Sequence, residues 1–149
     1  GIIRDLANDE RAYRSLTRSW FVHSSLFELL KILSANRVRV IFSTDHGTIR
    51  VQNPVKVTGD RQTSPNLRYK TGRNLDYNPK EVFEIKDPLK AGLPKANITS
   101  KYIFARNNDY LVYQNNFNYY AGYYRDTFQH GGISMQEMML PVACLEPVM

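Results

Sequence analysis

The feature that most constrains this chain is Val38-Arg39-Val40-Ile41-Phe42 followed at once by Ser43-Thr44-Asp45-His46-Gly47-Thr48. The first five residues predict a buried strand, because four of them are β-branched or aromatic and only Arg39 interrupts the run. An acid and an imidazole then stand side by side, with a glycine behind them. In an open α/β sheet, ligands collect outside the carboxyl ends of strands, so Asp45 and His46 occupy a position where chemistry is usually done. A carboxylate oxygen and a neutral imidazole nitrogen both suit a divalent ion such as zinc. Gly47 lets the backbone turn away and leaves space for an oxyanion to approach. The plainer alternative makes Asp45 a turn cap and His46 a partly buried polar residue.

Around this stretch the elements follow from periodicity and punctuation. Leu6, Ala12, Tyr13, Leu16 and Trp20 fall at helical spacing, so a helix is expected from about Leu6 to Trp20. Ser25 and Glu28 form a capping box that opens a mostly buried helix, Leu26 to about Ser34. Helix, short Ala35-Asn36-Arg37 loop and buried strand make the half-unit of a parallel α/β sheet. Thr48 to Gln52 alternates weakly and reads as a short strand. Between residues 53 and 98, eight prolines and glycines punctuate a polar, basic stretch that has room only for short strands, Val55 to Thr58 and Val82 to Ile85. That stretch is too long for a plain connector and is expected to be an insertion folded over the site. Ser100 to Ala105 and Asp109 to Tyr113, separated by Arg106-Asn107-Asn108, predict a β-hairpin. Phe117 to Tyr124 is aromatic-rich, Ser134 and Glu137 form a second capping box after His130-Gly131-Gly132, and Leu140 to Leu145 is a last strand. The fold class expected is α/β: a partial sheet flanked by helices, with a Pro/Gly-rich insertion and a β-hairpin.

Composition narrows the classes of partner. At 149 residues, with 42% hydrophobic and 23% charged residues, the chain is one domain's worth with a real core. Its net charge of +6 favours anionic partners, although no run of basic residues exceeds two. A plain nucleic-acid-binding domain has only that charge and the tyrosines behind it. The single Cys144 excludes an internal disulfide framework and a cysteine-based metal site, which fits a reducing, cytoplasmic setting. No segment approaches the roughly 20 apolar residues needed to span a bilayer, and no signal peptide is seen at the N-terminus. The chain opens without an initiator methionine, directly into helix-like sequence, and is expected to be a piece of a longer protein.

Four further groups stand out. His130-Gly131-Gly132 is a second histidine beside glycines after a structured segment. His23 reads as a structural histidine rather than a ligand. Arg50, Arg68, Lys70 and Arg73 are candidates for contacting substrate phosphates, since a guanidinium binds phosphate bidentately; a solvated basic loop explains them equally well. Tyr119, Tyr120, Tyr123 and Tyr124 could stack a nucleobase, but packing is the better explanation.

Ser43-Thr44-Asp45-His46-Gly47, the later His130-Gly131-Gly132-Ile133-Ser134-Met135-Gln136-Glu137-Met138, and then Pro141-Val142 together resemble the C-terminal half of a PglZ domain, in the alkaline phosphatase superfamily. The resemblance covers essentially all 149 residues. Trp20 to Leu33, Asp45 to Arg50 and Arg68 to Arg73 narrow it to the PglZ domains that end two-component response regulators tied to type IX secretion and gliding.

What the resemblance implies is a two-zinc phosphoesterase or phosphodiesterase site acting on a phosphoester, nucleotide or oligonucleotide. Asp45 and His46 would ligate one ion and His130 the other. The nucleophilic threonine and an Asp-x3-His motif should precede Asp45, and nothing upstream of Asp45 in this chain fits them. Asp126 and His130 have that spacing but come too late in the order. No catalytic nucleophile is therefore expected in this chain, and alone it should be inactive. The rival reading is a non-catalytic regulatory module that uses zinc for folding or dimerisation and binds signalling-protein partners. An uncovered sheet edge would also invite a homodimer.

Overall fold

The computed structural model describes residues 9–60, 63–95 and 99–148. It is a mixed α/β structure with four α-helices and several small sheets among the described residues, in keeping with part of an alkaline-phosphatase-like fold. The chain divides into two compact units: Gly1–Gly47 with Met139–Met149, and Thr48–Met138. No helix among the described residues is long and apolar enough to cross a membrane.

In the first unit, α1 (Glu10–Val22) is capped by Asp9, whose carboxylate accepts from the Ala12 N–H at 2.7 Å. The expected start at Leu6 lies outside the described residues. His23 closes α1 through its backbone N–H, a structural place. Helix α2 (Ser25–Ala35) follows, and Phe21 packs on Phe27 with ring centroids 5.4 Å apart. Its cap is Ser24 rather than the expected Ser25: the Ser24 hydroxyl accepts from Phe27 N–H at 3.2 Å. That places Glu28 one position too late to close a capping box, and it pairs with Lys31 instead.

Strand β1 (Val40–Ser43) pairs in antiparallel register with β10 (Val142–Leu145), Ile41 opposite Cys144 and Phe42 opposite Ala143. The strand stands where expected, but its only ladder among the described residues is antiparallel, and it is not buried: Ile41 is 73% exposed. A two-stranded ribbon leaves both faces of an apolar strand open unless another layer covers them.

The second unit begins with β2 (Ile49–Arg50) and then β3 (Asn53–Thr58), β4 (Tyr69–Gly72), β5 (Asp76–Tyr77) and β6 (Val82–Ile85). Strands β7 (Lys101–Ala105) and β8 (Asp109–Tyr113) come next, then α3 (Phe117–Tyr124), β9 (Phe128–Gln129) and α4 (Met135–Met138). Two three-stranded sheets, β5-β3-β8 and β4-β7-β6, form its body. They meet through Val55, Val57, Leu75, Val82, Ile103, Ala105 and Leu111, all buried. On the opposite face of β8, Tyr110 and Val112 cluster with Ile49 and Val51, and Phe117 and Tyr124 of α3 pack against them. Consecutive residues of β8, Tyr110 to Val112, are therefore buried on both faces, which explains why it reads as a continuous apolar run.

The expected hairpin of β7 and β8 differs in its pairing. The turn is there, with Asp109 N–H donating to Arg106 C=O at 2.8 Å. Yet β7 ladders with β4 and β6, and β8 runs parallel to β3, from Asn53 opposite Asp109 to Val57 opposite Tyr113. Leu67 and Arg68 take the bonds a hairpin would need: Ala105 N–H donates to Arg68 C=O at 2.9 Å and Leu111 N–H to Leu67 C=O at 2.7 Å. The 67–68 segment thus separates the two strands.

Candidate functional site

At the end of β1, Ser43 Oγ donates to Pro141 C=O at 2.9 Å and fixes the strand's last residue. The chain then turns: Thr44 Oγ1 donates to His46 C=O at 3.0 Å, which closes a tight loop around Asp45. His46 Nδ1 lies 2.9 Å from Gly47 C=O. A carbonyl only accepts, so Nδ1 carries the proton and Nε2 carries the lone pair of the neutral ring. His46 Nε2 and Asp45 Oδ1 are 3.8 Å apart. Two ligands on one tetrahedral zinc, each at ~2.0–2.1 Å, lie about 3.3 Å from one another. The two donors therefore fit one divalent ion with a small closure, and the Gly47 carbonyl orients the ring as second partners of metal-bound histidines do. Asp45 is exposed and His46 half-exposed.

In the second unit, His130 follows β9, which pairs with β2 through Ile49 opposite Gln129. His130 is itself exposed, but its backbone is held: Asn66 Nδ2 donates to His130 C=O at 3.3 Å. Asn66 Oδ1 in turn accepts from Arg68 N–H at 2.7 Å and Tyr69 N–H at 3.2 Å. Gly131 has φ +98°, and a Cβ there would come within 2.7 Å of Asn66 Nδ2. A Cβ on Gly132 would sit 2.6 Å from Glu137 Oε2. Close approach thus requires both glycines, and Gly131 is required by its conformation as well.

Glu137 is the centre behind this loop, and it is 3% exposed. Its carboxylate accepts Gly132 N–H at 2.9 Å, Ser134 N–H at 3.3 Å and Ser134 Oγ at 2.6 Å. Arg68 meets it with a bidentate fork, Nε to Oε1 and Nη2 to Oε2, each at 2.9 Å. Burial pushes the Glu137 carboxyl up, but the Arg68 and Ser134 hydrogen bonds, the Arg68 charge and Gly132 N–H outweigh it, and its pKa lies below the ordinary value. Two further Arg68 donors, on Nη2 and Nη1, go to the Asn107 and Asp109 carbonyls of the β7–β8 turn.

Arg68 was expected among the phosphate contacts; its guanidinium is instead fully buried and engaged inside the protein. A buried charge needs a partner and filled hydrogen bonds, and Arg68 has both. Lys70 is also buried, with its ammonium 4.1 Å from the centre of the Tyr113 ring. Arg50 pairs with Asp126 at 3.0 Å, and its Nε makes no hydrogen bond among the described residues. Arg73 is exposed. Of the tyrosines, Tyr119 stacks on Tyr123 and Tyr120 on Tyr124, each pair 6.0 Å apart along α3. Asp45 and His46 belong to the first unit and His130 to the second. Among the described residues, no three His, Cys, Asp or Glu side chains form a cluster that could hold a metal ion.

In the sequence Glu137 stands out as a capping residue and as part of the run after His130-Gly131-Gly132, and Asn66 carries no signal. No local signal could join Arg68 to a carboxylate 69 positions away.

Over residues 2–145 the sequence matches a family described as the BREX system PglZ alkaline phosphatase-like domain. No curated protein matches the chain.

Proposed function

The chain belongs to this PglZ family, a phosphoesterase-type family whose superfamily typically uses metal ions, and from that premise we propose that it contributes part of a two-zinc phosphodiesterase site. Asp45 and His46 hold one ion, and His130 belongs to the second. The observation that carries the proposal is the Asp45–His46 turn, with Nε2 and Oδ1 3.8 Å apart and Nδ1 tied to Gly47. When bound, such ions polarise a phosphoryl oxygen and activate the attacking group. This chain's own part is to present the donors and orient the imidazole through Gly47. Arg68 and Glu137 hold the backbone from which His130 projects. Arg50 and Arg73 are the candidates to meet a phosphate at this site, Arg50 by exchanging Asp126 for it.

The nucleophile, a threonine, lies in a preceding segment, so the 149 residues form the C-terminal portion of the domain, with 53–98 as its insertion. The parent is a response regulator of the PorX type, linked to type IX secretion, and its substrate is a nucleotide or oligonucleotide phosphodiester. The motifs Trp20 to Leu33, Asp45 to Arg50 and Arg68 to Arg73 support that narrower placement.

Zinc content by plasma mass spectrometry and turnover of bis(4-nitrophenyl) phosphate, both in the full-length protein, test the assignment. Asp45→Ala, His46→Ala and His130→Ala should each cost at least about tenfold in activity and lower the bound zinc. Full activity with full zinc in all three variants would sink the site. Variants that fold but lose dimer formation or partner binding, from a parent that turns over nothing, would give the regulatory reading the better claim.

A further inference from the structure

Within Thr48–Met138 lies a cavity of about 570 Å³, in the range of roughly 300–1,000 Å³ typical of small-molecule sites. Lys70, Tyr113, Asn116, Tyr120 and Tyr124 are among the residues lining it. Lys70 is 1% exposed, and the Tyr113 ring is the partner of its ammonium; among the described residues no carboxylate or carbonyl bonds to it. A buried cation against one aromatic face has lost its water and gained little in exchange. Burial accordingly lowers the Lys70 pKa to about 8.

A second element points to the same kind of ligand. Asn115 and Asn116, at the N-terminus of α3, also line the cavity. Asn116 sits at φ +56°, and its side chain caps none of the helix N–H groups. The positive end of the helix and the buried ammonium both favour an anion in one space. Farther along α3, Tyr120 and Tyr124 also line the cavity. Asp60 is the acid in the lining, and its carboxylate accepts from Thr63 Oγ1 at 3.3 Å and Asn74 Nδ2 at 3.5 Å.

We propose that this cavity binds a small aryl anion: a phosphate-like group held by Lys70 and the start of α3, and a planar ring set against Tyr120 and Tyr124. It stands independently of the metal assignment, since none of Asp45, His46 and His130 lines the cavity.

Phenylphosphonate, which has no ester bond to hydrolyse, is the probe, with inorganic phosphate and phenol as its separate halves. Calorimetric titration of the full chain should show phenylphosphonate binding at least tenfold tighter than either half. Lys70→Met should weaken it at least tenfold, and Lys70→Arg should restore most of the loss. Tyr120→Leu should weaken phenylphosphonate but leave phosphate as it was. The unsubstituted chain gives a check that needs no variant. Between pH 8 and 10 the probe keeps its charge while the Lys70 ammonium of the empty cavity loses its proton, so affinity should fall. A flat pH profile overturns the proposal, as does Lys70→Met binding like the parent. Phosphate binding as tightly as phenylphosphonate overturns the ring half.

Discussion

The two units of this chain invert the usual relation between apolar sequence and burial. The first holds its most apolar helix, Leu26-Phe-Glu-Leu-Leu-Lys-Ile-Leu33, and its most apolar strand, yet none of its described residues is buried. The second is polar, basic and broken by prolines and glycines, yet it contains every buried residue described. The difference is the number of layers. In the second unit two sheets face each other and α3 covers the far side of β8, so even Arg68 and Lys70 end up inside. In the first, a two-stranded ribbon and two helices leave Ile41 and Val142 more than two-thirds exposed. An apolar pattern states what a segment must cover; the neighbouring layers decide whether it is covered.

The candidate residues divide along the same line. The Asp45–His46 turn is an exposed loop closed by short-range hydrogen bonds. The His130 loop is anchored from below by a buried ion pair. Removing one partner of that pair should be the most damaging change. Glu137→Gln or Arg68→Met should cost about 3–5 kcal/mol, because each strands a buried charge or its donors. Chemical denaturation reads this directly. Because the folded pKa of Glu137 lies below its unfolded value of about 4.5, its contribution is fully present above that pH. It should disappear as pH falls through the lower folded value, and the parent should lose this increment in acid while Glu137→Gln does not.

The core comparison comes next. Ile103→Ala, at a residue with no exposed surface, should cost about 2–5 kcal/mol, whereas Ile41→Ala should stay within about 0.5 kcal/mol. Equal losses in denaturation midpoint would mean that Ile41 is covered in solution. Gly132→Ala should cost about 1–3 kcal/mol, because its methyl would push on Glu137 Oε2 and, at 3.0 Å, on Arg68 Nε. Its effect should shrink to the Arg68 contact when Glu137→Ala is already present, a coupling that a double-mutant cycle measures. The smallest effect distinguishes neighbouring serines: Ser24→Ala should cost about 1 kcal/mol and Ser25→Ala almost nothing, since Ser24 is the cap of α2.

Much of the local structure was legible. Val82–Ile85 is a strand with the expected bounds, whereas the helix at Phe117–Tyr124 showed only as an aromatic-rich run. The Asp-His-Gly turn after β1 stands where its residue types put it. The partners were not legible. The turn at Arg106 to Asp109 predicts a hairpin, and only the insertion of Leu67 and Arg68 shows why β7 and β8 part. Arg68 carries the same charge as Arg73, and nothing local says that one is buried against Glu137 while the other faces solvent.

The sequence by itself determined the mixed α/β character of the fold, the place of elements such as β6, and the Asp45-His46-Gly47 turn, because spacing and turn residues act over a few positions; its motifs carried the resemblance to the family. The tertiary structure alone decided which strands pair, which apolar faces are covered and which charges go inside. Those outcomes depend on contacts between residues such as Arg68 and Glu137, far apart in the chain, whose energies arise only once burial has removed the water between them.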